Sequence, residues 1–287
     1  MQNTRQAMSL AVGIAAILLL ALPATADELA GSLQIKGSDT MVNLCQAWAE
    51  GFMAQHPKVT VAVTGGGSGT GIASLIGGTC DLAASSRRMT DKETASASAK
   101  GTVPKEWTVA LDGLAVVVHP DNPVKQLTLQ QLADLFMGTV RNWRALGGAE
   151  QAVVLLSREV NSGTHVYFKE HVLGAANEFA PEALLLPSSQ AIADEVATNP
   201  AGIGYYGMGY LNPKNAVVAV AKTASDAYIA PSEQAVKDGT YPISRPLFLY
   251  VRVDSSALAA AFVDFVLSTQ GQAIVRQIDF VPVGESR

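Results

Sequence analysis

Two cysteines in 287 residues, four histidines and an excess of acidic over basic side chains remove several classes of function at the outset. With 20 Lys and Arg against 25 Asp and Glu, the chain lacks the clustered cations that a nucleic-acid backbone demands. His56, His119, His165 and His171 form no H-E-x-x-H or Cys-His pattern, so no metal site is expected. The glycine run at 65–71 is not followed by Gly-Lys-Ser/Thr, and Thr70 stands where the third glycine of a dinucleotide fingerprint would fall. Thr70 likewise breaks the spacing of a nucleophile elbow around Ser68. No cofactor is expected. Repeats and low-complexity linkers are also missing, and past residue 26 no run is apolar enough to span a bilayer.

The first 26 residues hold one charged side chain, Arg5, then an apolar run over 11–22, Pro23, and Ala24-Thr25-Ala26. That order is a secretory signal peptide with small residues before a cleavage point at Asp27. The run is too short for a transmembrane anchor, and no cysteine follows it for lipid attachment. The expected mature protein is soluble, exported and periplasmic, and its net charge shifts from −5 to −6 once Arg5 is gone. In an oxidising compartment, Cys45 and Cys80 make a candidate disulfide, with two buried free thiols as the alternative.

Strand and helix patterns alternate along the rest, which argues for an α/β fold with mostly parallel sheets. Strands are expected at 33–35, 59–63, 82–84 and 153–156, and helices at 41–56, up to 76, 127–136, up to 172, and 258–275. The long apolar segments 109–118 and 246–253 read as crossovers between two lobes. The first lobe is then 27–113 plus 246–287 and the second 114–245, with a ligand cleft at the hinge.

Three segments share one chemical character: Ser38-Asp39-Thr40, Gly67-Ser68-Gly69-Thr70-Gly71 and Ser162-Gly163-Thr164. Each follows a strand, opens a helix and carries hydroxyls or glycine. A helix start leaves N–H groups unpaired at the positive end of the peptide dipoles, and glycine admits close approach. Each alone is an ordinary N-cap, but three together would surround a tetrahedral oxyanion with uncharged donors. Arg158 ends the strand before the third segment, and its planar fork suits two oxygens at once, against the alternative of an ion pair with Glu159.

The GSDTM sequence at 37–41, GGGSGTG at 65–71, Asp81-Leu82-Ala83-Ala84-Ser85-Ser86-Arg87 and SREVNSGT at 157–164 together resemble the phosphate-binding proteins of bacterial phosphate ABC importers. So do the 202–206 stretch and Tyr241-Pro242-Ile243-Ser244-Arg245-Pro246. The resemblance implies a two-lobed, type II-like periplasmic-binding-protein fold. Inorganic phosphate would be the ligand of a monomer that docks on a membrane permease. Carried over by position, it implies contacts from Thr40, Met41 (through its N–H), Ser68, Gly69, Arg158, Ser162, Gly163 and Thr164, and Ser38, Asp39, Ser86 and Arg87 complete the candidate site. Some members of that family place an aspartate where this chain has Ser86, to accept the proton of hydrogen phosphate. Asp39 is the candidate replacement, or a helix cap, and Arg87 either adds charge or pairs with Asp81 or Asp91. Another oxyanion such as sulfate, molybdate or tungstate, a sensor with no transporter, and a phosphoester hydrolase using His165 are the competing readings.

Overall fold

A computed structural model describes residues 29–284, so the expected leader at 1–26 lies outside the described residues. The chain begins with β1 (Gly31–Gly37), a 3-10 turn at Asp39–Met41, α1 (Val42–Gln55), β2 (Val59–Thr64), α2 (Ser68–Ile76), β3 (Leu82–Ser85) and α3 (Asp91–Ala99). The long β4 (Pro104–Val118) follows, then β5 (Gln126–Thr128), α4 (Leu129–Phe136), β6 (Val154–Arg158) and α5 (Gly163–Phe168), which widens into a π-helical turn at Lys169–Gly174. The remainder is β7 (Leu184–Leu186), α6 (Ser189–Thr198), β8 (Gly202–Gly207), β9 (Ala216–Ala221), α7 (Glu233–Lys237), β10 (Ser244–Arg252), α8 (Ala257–Leu267) and α9 (Thr269–Gln277).

The strands join in the order β2-β1-β3-β10-β4-β8-β6-β7, with β9 paired to β4 and β5. Strand β4 divides this order. Residues 104–113 pair antiparallel with β10, whereas Leu114–Val118 pair with β8 and in part with β9. Around the first half of β4 lie parallel β1, β2 and β3; around the second lie parallel β6, β7 and β8. The fold is therefore two α/β lobes sharing one strand. The apolar run at the end of β4 has its cause in this arrangement. Leu114, Val116 and Val118 enter the main core, while Ala115 and Val117 pack on Ile192, Ala193 and Val196 of α6. A strand covered on both faces has no solvent side on which to place polar residues.

The first lobe buries α1, α8 and α9 against one face of its sheet, through Leu44, Trp48 and Phe52 with Phe262 and Val266. On the other face Ile72, Leu75 and Ile76 of α2 meet Phe248 and Tyr250. This layering corrects the expected disulfide. Cys45 lies in the first cluster, with Leu82 and Ala84 of β3, and Cys80 in the second, with Ala83. The sheet stands between them and both are free thiols. Burial pushes Cys45 up to about 12 and Cys80 up to about 11, so each behaves as a small apolar side chain.

The closing helix expected over 258–275 is two helices meeting at 63°. Ser268 makes the break: its hydroxyl donates to the Phe265 carbonyl and accepts from the Gly271 N–H, ending α8 and capping α9. Similarly, the helix expected from 127 starts at Leu129, because Thr128 caps it and Gln131 reciprocates in a capping box.

Candidate functional site

Each sequence segment with hydroxyls and glycine sits at a strand end, and backbone geometry explains why. Gly37 has φ +140, and a Cβ there would lie 2.1 Å from the Ala84 carbonyl oxygen; only glycine fits between β1 and β3. The Ser38 N–H then bonds that same carbonyl at 2.8 Å, which fixes the turn into α1. Gly67, φ +89, precedes α2, and a Cβ there would stand 2.7 Å from the Asn161 carbonyl oxygen of the other lobe. On the second lobe, the Ser162 hydroxyl caps α5 by accepting from the Thr164 N–H at 3.2 Å.

These turns converge. The Thr40 and Thr164 hydroxyls are 2.7 Å apart across the lobes. Within the first lobe the Ser86 N–H donates to Ser68 Oγ at 3.0 Å, with the two hydroxyls 3.3 Å apart. Gly163 abuts that pair: a Cβ on it would lie 2.4 Å from Ser68 Oγ and 2.6 Å from Ser86 Oγ. Thr40, Ser68, Ser86 and Thr164 are fully buried, and Ser38 and Ser162 nearly so. Hydroxyls from three first-lobe turns thus meet Gly163 and Thr164 of the second lobe in one buried cluster.

Two backbone donors expected there have protein partners. The Met41 N–H bonds the Ser38 carbonyl, and the Gly69 N–H crosses the lobes to the Asn161 carbonyl at 3.1 Å. Asn161, which sequence reasoning passed over, also donates from Nδ2 to the Gly66 carbonyl at 3.0 Å.

The charged candidates behave differently from expectation. Arg158 does not pair with Glu159. Its Nη2 donates to Asp39 Oδ2 and to the Pro187 carbonyl, both at 2.8 Å, its Nη1 to Ser189 Oγ and its Nε to the Leu186 carbonyl. Burial lowers its pKa, and the Asp39 carboxylate opposes that in part. Asp39 caps no helix: Oδ1 accepts from the Gly66 N–H and Oδ2 from Arg158, while Tyr210 donates to its carbonyl at 2.7 Å. Arg87 pairs with neither Asp81 nor Asp91 but forks onto Glu93, with both bonds at 2.8 Å. Burial alone would raise Glu93, yet the bonds from Arg87 and the Thr90 N–H outweigh it and hold that carboxyl below its usual range.

One further pair escaped the sequence reading. Arg245, at the start of β10, donates through Nε and Nη2 to Asp112 Oδ2 at 3.0 and 2.9 Å, and through Nη2 to Thr164 Oγ1 at 3.0 Å. Asp112 is the lone carboxylate in the apolar run 109–118, and a charge at such a place signals a buried partner. Burial raises its pKa against the pull of Arg245 and the Met208 N–H.

Residues 22–270 match the family described as a PBP superfamily domain. The phosphate-binding protein PstS of Pseudomonas aeruginosa is 36% identical over 275 residues, covering 90% of this chain and 85% of that one. The chain belongs to this family. The PstS of Bacillus subtilis is 32% identical, over 91% of this chain and 84% of its own. Among solved structures, a Clostridium perfringens chain assigned to phosphate ABC transport, with bound phosphate, superposes with a TM-score of 0.82. It is 30% identical and covers 88% of this chain and 100% of that chain. In the family member described here, no single helix among the described residues is long and apolar enough to cross a membrane.

Proposed function

We propose that the protein captures inorganic phosphate between its lobes outside the cytoplasm and hands it to the permease of an ABC importer. The observation that carries this reading is the meeting of Thr40, Ser68 and Ser86 with Gly163 and Thr164 in one buried cluster. Hydroxyl and N–H donors of this kind replace an anion's water shell without an unpaired charge. Each cation near the cluster already has a carboxylate: Arg158 has Asp39, Arg87 has Glu93 and Arg245 has Asp112. Selectivity for the anion therefore comes from the placement of donors.

The named relatives bind phosphate, which favours it over sulfate, molybdate or tungstate. With Ser86 in the place of an aspartate, and with both Asp39 oxygens engaged, the proton of hydrogen phosphate falls to a hydroxyl oxygen. Discrimination against sulfate, which has no proton to offer, is then weaker than a buried carboxylate would give. Lobes of 27–113 plus 246–287 and of 114–245 close on the ligand by bending where β4 changes partners, between Gly113 and Leu114. The closed form of a single chain docks on the permease.

Hydrolysis is the competing chemistry, and the surroundings of His165 speak against it. Its Nδ1 faces Ser157 Oγ at 3.2 Å, but Ser157 is fully buried and bonded to Tyr205 at 2.6 Å. Calorimetry of the mature protein with phosphate, sulfate and arsenate between pH 5 and 9 tests the proposal. Phosphate should bind at one site per chain and raise the melting temperature as it saturates. Absence of both the heat and the thermal shift would sink the reading.

A further inference from the structure

We propose that Arg245, from the hinge strand β10, is an additional anion-contacting residue that also sets the direction of the Thr164 hydroxyl. The inference rests on the phosphate-capture reading and adds to it a guanidinium from outside the hydroxyl- and glycine-bearing turns.

Five observations carry it. The Arg245 side chain is 1% exposed and its Asp112 partner 0%. Its Nη2 reaches Thr164 Oγ1, which itself lies 2.7 Å from Thr40 Oγ1, so the guanidinium adjoins the hydroxyl cluster. Its Nη1 is buried with no hydrogen-bond partner among the described residues. Nearby acceptors are committed elsewhere: Asp112 Oδ2 takes Nε and Nη2, and Oδ1 takes the Met208 N–H. The Tyr167 ring lies against the guanidinium, 5.3 Å from its centroid, and the Tyr167 hydroxyl donates to the Ser244 carbonyl.

A buried guanidinium N–H is expensive to leave unmade, and an oxyanion held by Thr40 and Thr164 offers the acceptor it lacks. The bond from Nη2 occupies a lone pair of Thr164 Oγ1. The hydroxyl hydrogen of Thr164 is then turned away from Arg245, towards Thr40 and whatever the cluster holds. Asp112 keeps the fork in place from the facing strand, since Arg245 and Asp112 are register partners in the β10–β4 ladder.

The test is phosphate affinity by calorimetry in the unaltered mature protein and in the double variant D112N/R245Q. That variant removes both charges while keeping polar groups of similar shape, so no charge is stranded in the core. The unaltered protein must bind phosphate; if it does not, the phosphate reading itself fails and this inference falls with it. Given that binding, a folded double variant should lose about ten- to a hundredfold in affinity, the scale of one hydrogen bond to a charged group. An affinity within about twofold of the parent, with only the melting temperature of the unliganded variant lowered, would assign Arg245 a purely structural role and overturn the proposal. Should the variant fail to fold, a crystal structure of the unaltered protein with phosphate decides. An anion oxygen within hydrogen-bond reach of Nη1 supports the inference, and water alone there refutes it.

Discussion

Two arginine–aspartate pairs border the same hydroxyl cluster, and they differ in what they join. Arg158–Asp39 runs from the end of β6 to the turn after β1, across the lobes. Arg245–Asp112 lies within one ladder, between strands that are hydrogen-bonded neighbours. On the proposed closure of the lobes, the first pair forms only when they meet, whereas the second, set between two strands of one ladder, persists in either form. Their surroundings match this division: the Asp39 side chain retains 14% exposure, whereas Asp112 has none. In that proposal one pair acts through closure and the other through the integrity of the frame on which closure would happen.

The sharpest way to break this comparison is to delete one carboxylate at a time. Asp112→Ala strands the Arg245 guanidinium in the core and should cost about 3–5 kcal/mol of stability, as removal of one partner of a buried pair does. Asp39→Ala should cost far less in unfolding free energy, because Arg158 keeps the Leu186 and Pro187 carbonyls and Ser189 as acceptors. Urea titrations of the unliganded variants measure both. Equal losses would mean that the cross-lobe pair is as structural as the hinge pair. The next effect in size is on affinity. Arg158→Ala removes a group that spans both lobes in the closed form, and phosphate binding should weaken by about 1.5–3 kcal/mol. An unaltered affinity would confine Arg158 to holding the 186–189 segment.

The two pairs also differ in how readable they were. Arg158 sits in a strand-end motif with Ser162, Gly163 and Thr164, where local sequence advertises a turn facing a cleft. Arg245 precedes Pro246 in an extended segment, and its partner is 133 residues away. Nothing local announces such a bond, although a single aspartate inside an apolar strand is a usable hint. The same contrast holds for the fold. The run at 109–118 betrays a doubly covered strand because burial on two faces dictates composition. The extension of β4 back to Pro104 was hidden, since residues 104–108 are exposed or only partly buried and mix polar with apolar types. The cysteine pairing was illegible for a third reason. Parity of count says nothing about which face of a sheet each thiol occupies.

The smallest expected effect separates the cluster's support from the cluster itself. His165 stacks on Phe179 with centroids 4.4 Å apart and faces Ser157 through Nδ1. Burial lowers its pKa from the ordinary value of 6.5; the Arg158 backbone and Glu178 oppose this, while Lys169 and Arg158 reinforce it. The sign follows from linkage. As pH falls through about 6.5 the unfolded chain takes up a proton that the folded imidazole refuses, so stability declines until the folded group is itself protonated. Groups shared by parent and variant cancel in the difference between their stabilities. The stability of the parent relative to His165→Gln should therefore shrink between pH 7.5 and 5.5, read from urea midpoints at each pH. A difference that stays constant across that range would mean that folding leaves the His165 pKa unshifted, and one that grows towards pH 5.5 would mean that the folded imidazole holds its proton more tightly than the unfolded chain does. The latter outcome would place a cation, instead of a neutral ring, behind the Ser162–Thr164 turn.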